Sequence, residues 1–182
     1  MTDRSRLIAL LATRSTKRGQ FTLASGKSST VYIDARLTTM SPEGLSLIGS
    51  IGLDTLRKES WQIDAVGGLT LGADPIAYAI SYASAASEKP LRAFTVRKQA
   101  KDHGTGKLIE GPFSPGDRVA IIEDVITTGR SALQAIDAVK SAGGKIAGVL
   151  ALVDREEGGR EAIAATGIQV VSIVRASEIT SD

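Results

Sequence analysis

The spacing of apolar side chains changes period several times along the chain, and each change marks an element. Leu7, Ile8, Leu10 and Leu11, in a segment flanked by Ser and Asp, predict a first amphipathic helix ending near Gly19. Phe21 to Leu23 and Val31 to Asp34 alternate as two short strands around the turn Ser25-Gly26-Lys27-Ser28. Ser41-Pro42-Glu43 has the order of a helix start, with a hydroxyl cap, a first-turn proline and an acid at the amide end, and Leu45, Ile48, Leu53 and Leu56 carry that helix to Lys58. Beyond it strands and helices alternate. Strand 63–66 leads through the turn Gly67 to Gly72 into helix 74–86, and strands 91–96 and 119–122 follow. Helix 131–141 is stopped by Gly143-Gly144, then come strand 146–153, a short helix 160–165 and strand 169–173. Strands joined through helices pair in parallel by right-handed crossovers, so the pattern predicts an α/β fold with a mostly parallel central sheet flanked by helices.

One connection breaks this economy. Residues 97–116 lie between two strands, and loops longer than about 12–15 residues without structure are usually functional or disordered. A polar start and glycines at 104, 106 and 111 fit a mobile lid. Arg97, Lys98, Lys101 and the only histidine, His103, fall within seven residues of it, a concentration suited to a polyphosphate.

Length and composition narrow the classes. The 182 residues suit one domain, 1–182, with a real core. Lys+Arg number 22 against 20 Asp+Glu, a formal net charge of +2, so bulk charge gives nucleic-acid binding no support. The absence of cysteine removes thiolate nucleophiles, disulfides and Cys-ligated zinc. The apolar run Leu7 to Ala12 is too short for a secretory signal and is followed by Arg14, Lys17 and Arg18; no stretch approaches a membrane span. A cytoplasmic protein with no membrane partner is the expectation.

The densest chemical signal is Val119-Ala120-Ile121-Ile122-Glu123-Asp124-Val125-Ile126-Thr127-Thr128-Gly129-Arg130-Ser131. An apolar strand places Glu123 and Asp124 at its carboxyl end, where open parallel sheets hold their ligands. Thr127 to Ser131 then offer hydroxyls and backbone N–H groups at a helix N-terminus, a site for a phosphate dianion. Acids and threonines before a helix are also ordinary caps, but a cap needs one side chain and leaves the second acid and the Thr-Thr-Gly turn unexplained. Carboxylates beside a phosphate-binding turn suit a phosphorylated sugar.

This segment resembles the phosphoribosyl-diphosphate (PRPP) binding signature of the type I phosphoribosyltransferases, and matches spread from Phe21 to Arg155 resemble the orotate phosphoribosyltransferases among them. The resemblance implies transfer of the 5-phosphoribosyl group from PRPP to orotate, giving orotidine 5′-monophosphate and diphosphate in pyrimidine (UMP) biosynthesis. It implies a fold with a small N-terminal hood, within about residues 1–40, and a flexible catalytic loop at 97–116. It assigns PRPP to Arg97, Lys98, Lys101, His103, Glu123, Asp124, Val125, Ile126, Thr127, Thr128, Gly129, Arg130 and Ser131, and orotate to Thr127 and Arg155. Lys101, Asp124 and His103 are the catalytic candidates, with lid residues reaching the site partly from the neighbouring subunit of a homodimer. Mg²⁺ is expected through the substrate's oxygens and water, with no dedicated protein ligands.

Two segments fit less closely. Gly67 to Gly72 lacks the Lys-Ser/Thr of a P-loop, and by resemblance its continuation, Leu69 to Ala73, approaches the diphosphate through its backbone. Phe21-Thr22-Leu23-Ala24-Ser25-Gly26 resembles the hood, but Ala24 stands where many members have lysine, and Leu71-Gly72-Ala73-Asp74 lacks the Tyr-Lys pair of some members. A purine phosphoribosyltransferase shares the PRPP signature, but the Arg-Lys-x-Ala-Lys-Asp-His-Gly lid and Arg155 argue against it. A regulatory PRPP sensor that binds nucleic acid needs a basic surface or an added module, and the roughly 20 residues before Phe21 are too few for a winged helix.

Overall fold

The computed structural model describes residues 1–22, 28–99 and 107–180. Helix α1 (Asp3–Leu10) begins at Thr2, whose side chain accepts from the Ser5 amide, and continues into a π-helical turn, Leu11–Ser15. The helix predicted to reach Gly19 therefore stops earlier. Thr16, β-branched and extended, opens strand β1 (Thr16–Thr22), which pairs antiparallel with β2 (Ser28–Ile33). Pairing across this ribbon outweighs the helical pattern, since each ladder bond satisfies backbone groups that a fraying helix end leaves open.

The main sheet has six strands in the order β5-β4-β3-β6-β7-β8. These are β3 (Ala65–Leu69), β4 (Arg92–Val96), β5 (Ile109–Glu110), β6 (Arg118–Ile126), β7 (Lys145–Asp154) and β8 (Val170–Arg175), all parallel except the short antiparallel β5. Helix α2 (Arg36–Thr39) leads from the ribbon into α3 (Pro42–Lys58), and α4 (Ala73–Ala83) follows β3. Beyond β6 come α5 (Arg130–Ser141), α6 (Gly159–Ala164) and the final α7 (Ala176–Thr180). Alternation along the strands sends side chains to two cores. Val66, Ala120, Ile122, Leu150 and Leu152 pack with Leu7, Ile48, Leu56, Ile76 and Ile80 of α1, α3 and α4. Ala65, Val119, Ile121, Val149 and Ala151 pack with Ala135, Ile136 and Val139 of α5 and Ile163 of α6.

Three boundaries differ from the sequence reading, each for a reason of pairing. Gly67 and Gly68 lie inside β3, opposite Phe94 and Thr95, where a turn was expected. Both β4 and β6 approach so closely that a Cβ at Gly67 would strike the Phe94 carbonyl and one at Gly68 that of Ile122. Strand β6 runs to Ile126, because β7 partners it as far as Asp154, so Glu123 and Asp124 lie within the strand. The 97–116 connection is structured at its far end: Glu110 and Ile109 fold back on Thr95 and Val96, and the Arg97 amide donates to the Leu108 carbonyl at 2.8 Å. Phe113 anchors this return on Phe94, ring centres 5.5 Å apart. Lys101, His103 and Ala24 lie outside the described residues.

The chain leaves β3 for β4 on one side and returns to β6 on the other, so the topological switch point falls between the carboxyl ends of β3 and β6. A crevice at that point is where doubly wound sheets bind ligands.

Candidate active site

At the switch point, β6 delivers the turn Thr127 to Gly129 directly into α5. Gly129 sits at the N-cap with φ of 79°, a left-handed conformation that a β-carbon resists, and a Cβ there would also lie 2.8 Å from the Gly159 carbonyl. The turn is thus braced from behind by the start of α6. No side chain caps α5, in contrast to α1 and to α3, where Ser41 accepts from the Gly44 amide. The first-turn amides of a helix have no intrahelical acceptor. With Thr127, Thr128, Arg130 and Ser131 around them, they form a positive, donor-rich mouth.

This mouth opens into a cleft of about 1140 Å³, lined also by Tyr32, Ile33, Val96, Arg97, Leu108, Val125, Leu133, Gln134, Asp137 and Arg155. The sequence candidates Arg97, Val125, Thr127, Thr128, Arg130, Ser131 and Arg155 therefore converge on one space. Lys98 is exposed at the lid's root, where its carbonyl accepts from Gln134 at 3.2 Å. Ile126 has its side chain in the core and its carbonyl already accepting from the Arg155 amide at 2.9 Å. Its contribution to a ligand is thereby limited to placing its neighbours.

The two adjacent acids separate. Neighbouring residues of a strand point to opposite faces, and Glu123 alternates with Val119 and Ile121 whereas Asp124 alternates with Ala120 and Ile122. Asp124 is half-buried, next in the chain to the cleft-lining Val125, and its carboxylate fills the space where Gly72 lacks a side chain: a Cβ there would lie 2.5 Å from it. Its Oδ1 accepts from the Val125 amide at 2.9 Å, and burial holds its pKa above the usual value against that bond and the nearby Arg36. Glu123 is 9% exposed, and its Oε2 has no hydrogen-bond partner among the described residues. Burial first, then the charge of Asp124, push its pKa up to about 8. In this geometry the two acids face opposite sides of the sheet, Glu123 buried and Asp124 half-buried against Gly72.

A raised carboxyl pKa has a definite sign for stability. The unfolded chain ionises Glu123 freely above its ordinary pKa of 4.5, while the folded chain resists ionisation until about 8, so this residue weighs increasingly on the fold as pH rises through that window. Glu123→Gln is expected to raise the Tm of the unliganded protein, with a gap over the parent that widens from about pH 5 to about pH 9. A gap that narrows with rising pH would contradict the burial of an acid here.

Arg155 follows β7 and is held firmly, its side chain only 7% exposed. Its Nη1 donates to the Val31 carbonyl at 3.2 Å, and its Nη2 donates to Ser29 Oγ at 3.2 Å and to Glu157 Oε1 at 2.7 Å. The β1–β2 ribbon is thereby stitched to the cleft's rim. Across the cleft, Asp74 accepts from the Thr70 and Thr95 hydroxyls at 2.7 and 2.8 Å, tying the turn after β3 to the strand that leads into the lid.

Sequence reasoning missed Tyr32, Ser29, Glu157 and Gln134. Alternation within β2 places Tyr32 with Ser28 and Thr30 and could have marked it as a cleft residue; the others meet their partners only through tertiary folding. Among the described residues no group of three or more His, Asp or Glu side chains converges as a metal cage, and no helix is long and apolar enough to cross a membrane.

Residues 41–177 match the phosphoribosyl transferase domain family. The orotate phosphoribosyltransferase of Aquifex aeolicus is 47% identical over 98% of this chain and 98% of its own, and that of Rhodopirellula baltica is 45% identical over 94% and 91%. Among solved structures, Mycobacterium tuberculosis orotate phosphoribosyltransferase in complex with PRPP superposes with a TM-score of 0.82 at 39% identity, covering 99% of this chain and all of that one. The adenine phosphoribosyltransferase of Leishmania tarentolae shares the fold, with a TM-score of 0.66 at 16% identity. A phosphate-ready βα junction at the switch point, an acid at its edge and a buried arginine on its rim thus occur in a chain whose family match and near full-length relatives agree: this protein belongs to the orotate phosphoribosyltransferases of the phosphoribosyl transferase family.

Proposed function

We infer that the cleft between β3, β6 and the hood ribbon is where this enzyme transfers the 5-phosphoribosyl group of PRPP to orotate, yielding orotidine 5′-monophosphate and diphosphate. The observation that carries this reading is the uncapped start of α5, reached through Gly129 from the strand that carries Asp124 and opening on the cleft that Arg155 also lines. The 5′-phosphate sits on the amides and hydroxyls of 127–131, where the helix end supplies positive potential without any charged side chain having to move. Asp124 accepts hydrogen bonds from the ribose hydroxyls. As the C1–O bond to diphosphate breaks, the sugar acquires positive charge, and a fixed carboxylate beside it is favoured more in the transition state than before it. The electron pair of that bond leaves with the diphosphate, and the orotate N1 supplies the pair for the new bond to C1 as its N–H bond breaks and the proton is released to solvent. Lys101 and His103, with Arg97 and Lys98 at the lid's root, neutralise the departing charge.

Mg²⁺ is proposed to enter with the substrate, on the diphosphate oxygens and water. A homodimer is also proposed. Leu71, Tyr78 and Tyr82 expose 52%, 51% and 85% of their surface on and beside α4, an apolar face that a second copy would cover, bringing its lid to this cleft. The protein is proposed to work in the cytoplasm.

Arg155 binds the planar, anionic base. Arg155→Ala is expected to raise the orotate KM by about 10- to 100-fold, the worth of a charge-assisted bond, and to change the PRPP KM by less than about threefold. Equal rises in both would remove it from the base site. Orotate consumption with PRPP and Mg²⁺, measured beside adenine, hypoxanthine and uracil, tests the reaction itself: turnover with orotate alone is expected, and turnover with a purine instead would overturn it.

A further inference from the structure

Arg155 carries five N–H donors in a planar fork, and a carboxylate binds it best when two neighbouring donors point at its two oxygens. In this structure both protons of Nη2 are already engaged, one by Ser29 and one by Glu157, and Nη1 gives one to Val31. Each two-pronged edge of the guanidinium includes Nη2. No carboxylate can therefore grip Arg155 bidentately while all three contacts stand. The Val31 contact is a backbone carbonyl within β2, and Ser29 is fixed by its own bonds to Val31, donating to the carbonyl at 2.8 Å and accepting from the amide at 3.2 Å. Glu157 differs. Its side chain is 25% exposed, and no hydrogen bond other than that to Arg155 is seen for it among the described residues. It also lies between Glu156, at φ of 58°, and Gly158, at φ of 93° with open space around it. Of the three groups it is the one free to swing into solvent.

We propose that Glu157 is an internal stand-in for the carboxylate of the incoming base, occupying the Arg155 fork in the free enzyme and withdrawing when the base arrives. This rests on the reading of Arg155 as the base-binding residue and specifies how that site is filled beforehand. The exchange keeps the buried guanidinium compensated at every stage, which matters because an unpaired charge at such a position is strongly unfavourable. It also makes the base compete with a tethered anion. Affinity for orotate is lowered by that competition, and anions that cannot satisfy both prongs are rejected because they lose the Glu157 bond without replacing it.

The test is steady-state kinetics on the full-length protein with Glu157→Gln, Glu156→Gln and Arg155→Ala. Glu157→Gln weakens the competitor while keeping its shape, so the orotate KM is expected to fall about three- to tenfold, with the PRPP KM unchanged. Glu156→Gln removes the same charge one residue away, from a side chain that binds the Ser177 amide rather than Arg155, and is expected to leave the orotate KM where it was. A rise in the orotate KM for Glu157→Gln would mean that Glu157 orients Arg155 rather than standing in for substrate, and an equal fall in both Glu variants would reduce the effect to long-range charge; either overturns the proposal. If Arg155→Ala leaves the orotate KM unaltered, the underlying assignment of the base site fails, an outcome distinct from both.

Discussion

Lys101→Ala is expected to lower kcat about 100- to 1000-fold, the usual cost of losing one preorganised donor aimed at charge that develops in the transition state. The reaction leaves negative charge on the diphosphate that was shared with C1 beforehand, so a cation arriving with lid closure binds the departing group more strongly than the intact substrate. The loss should therefore fall on kcat, with PRPP affinity changing by less than about tenfold. Single-turnover measurements at saturating PRPP separate this from slow product release. A variant that kept nearly full kcat would remove Lys101 from the chemical step, and Lys98 and Arg97 at the lid's root would then be the next to test.

Asp124→Ala is expected to lower kcat/KM for PRPP on the order of 100-fold or more, from the loss of two charge-assisted bonds to the ribose, each worth about 1.5–3 kcal/mol. The position makes this effect specific. Asp124 lies within β6, between β3 and β7, with its carboxylate against the Gly72 backbone, so it is held in place before any substrate arrives. Asp124→Asn keeps the shape and one acceptor but loses the charge beside the developing cation, and should fall between parent and Asp124→Ala, with more of its deficit in kcat. Equal deficits in the two variants would show that charge is not what Asp124 supplies. The orotate KM, proposed to depend on Arg155, should move little in either.

Much of the candidate site was legible because its parts are adjacent in the chain. Strand, acid, threonine turn and helix start follow one another from Val119 to Ser131, and the only geometry they need is that of one βα junction. Arg155 was legible for the same reason, standing one residue past the end of β7. The division of labour between Glu123 and Asp124 was hidden by a boundary. With β6 ended at Ile122, both acids fall in a loop and can face one ligand, whereas four more strand residues send them to opposite faces and leave Glu123 buried. The extension depends on β7 supplying partners as far as Asp154, a contact no local pattern records. The occupants of Arg155 were illegible on the same ground: Ser29 lies 126 residues away, and a hydroxyl on an exposed-looking strand carries no periodic signal. The return strand β5 is two residues long, too short for alternation to reveal it.

The central claim is that the amides of the β6–α5 junction hold the phosphate of a ribose whose hydroxyls meet Asp124. A crystal structure of this protein with PRPP and Mg²⁺ tests it most directly. The account predicts the 5′-phosphate within hydrogen-bonding distance of the backbone of Thr128 to Ser131 and the ribose hydroxyls on Asp124. PRPP bound elsewhere, with that turn left to solvent, would contradict it.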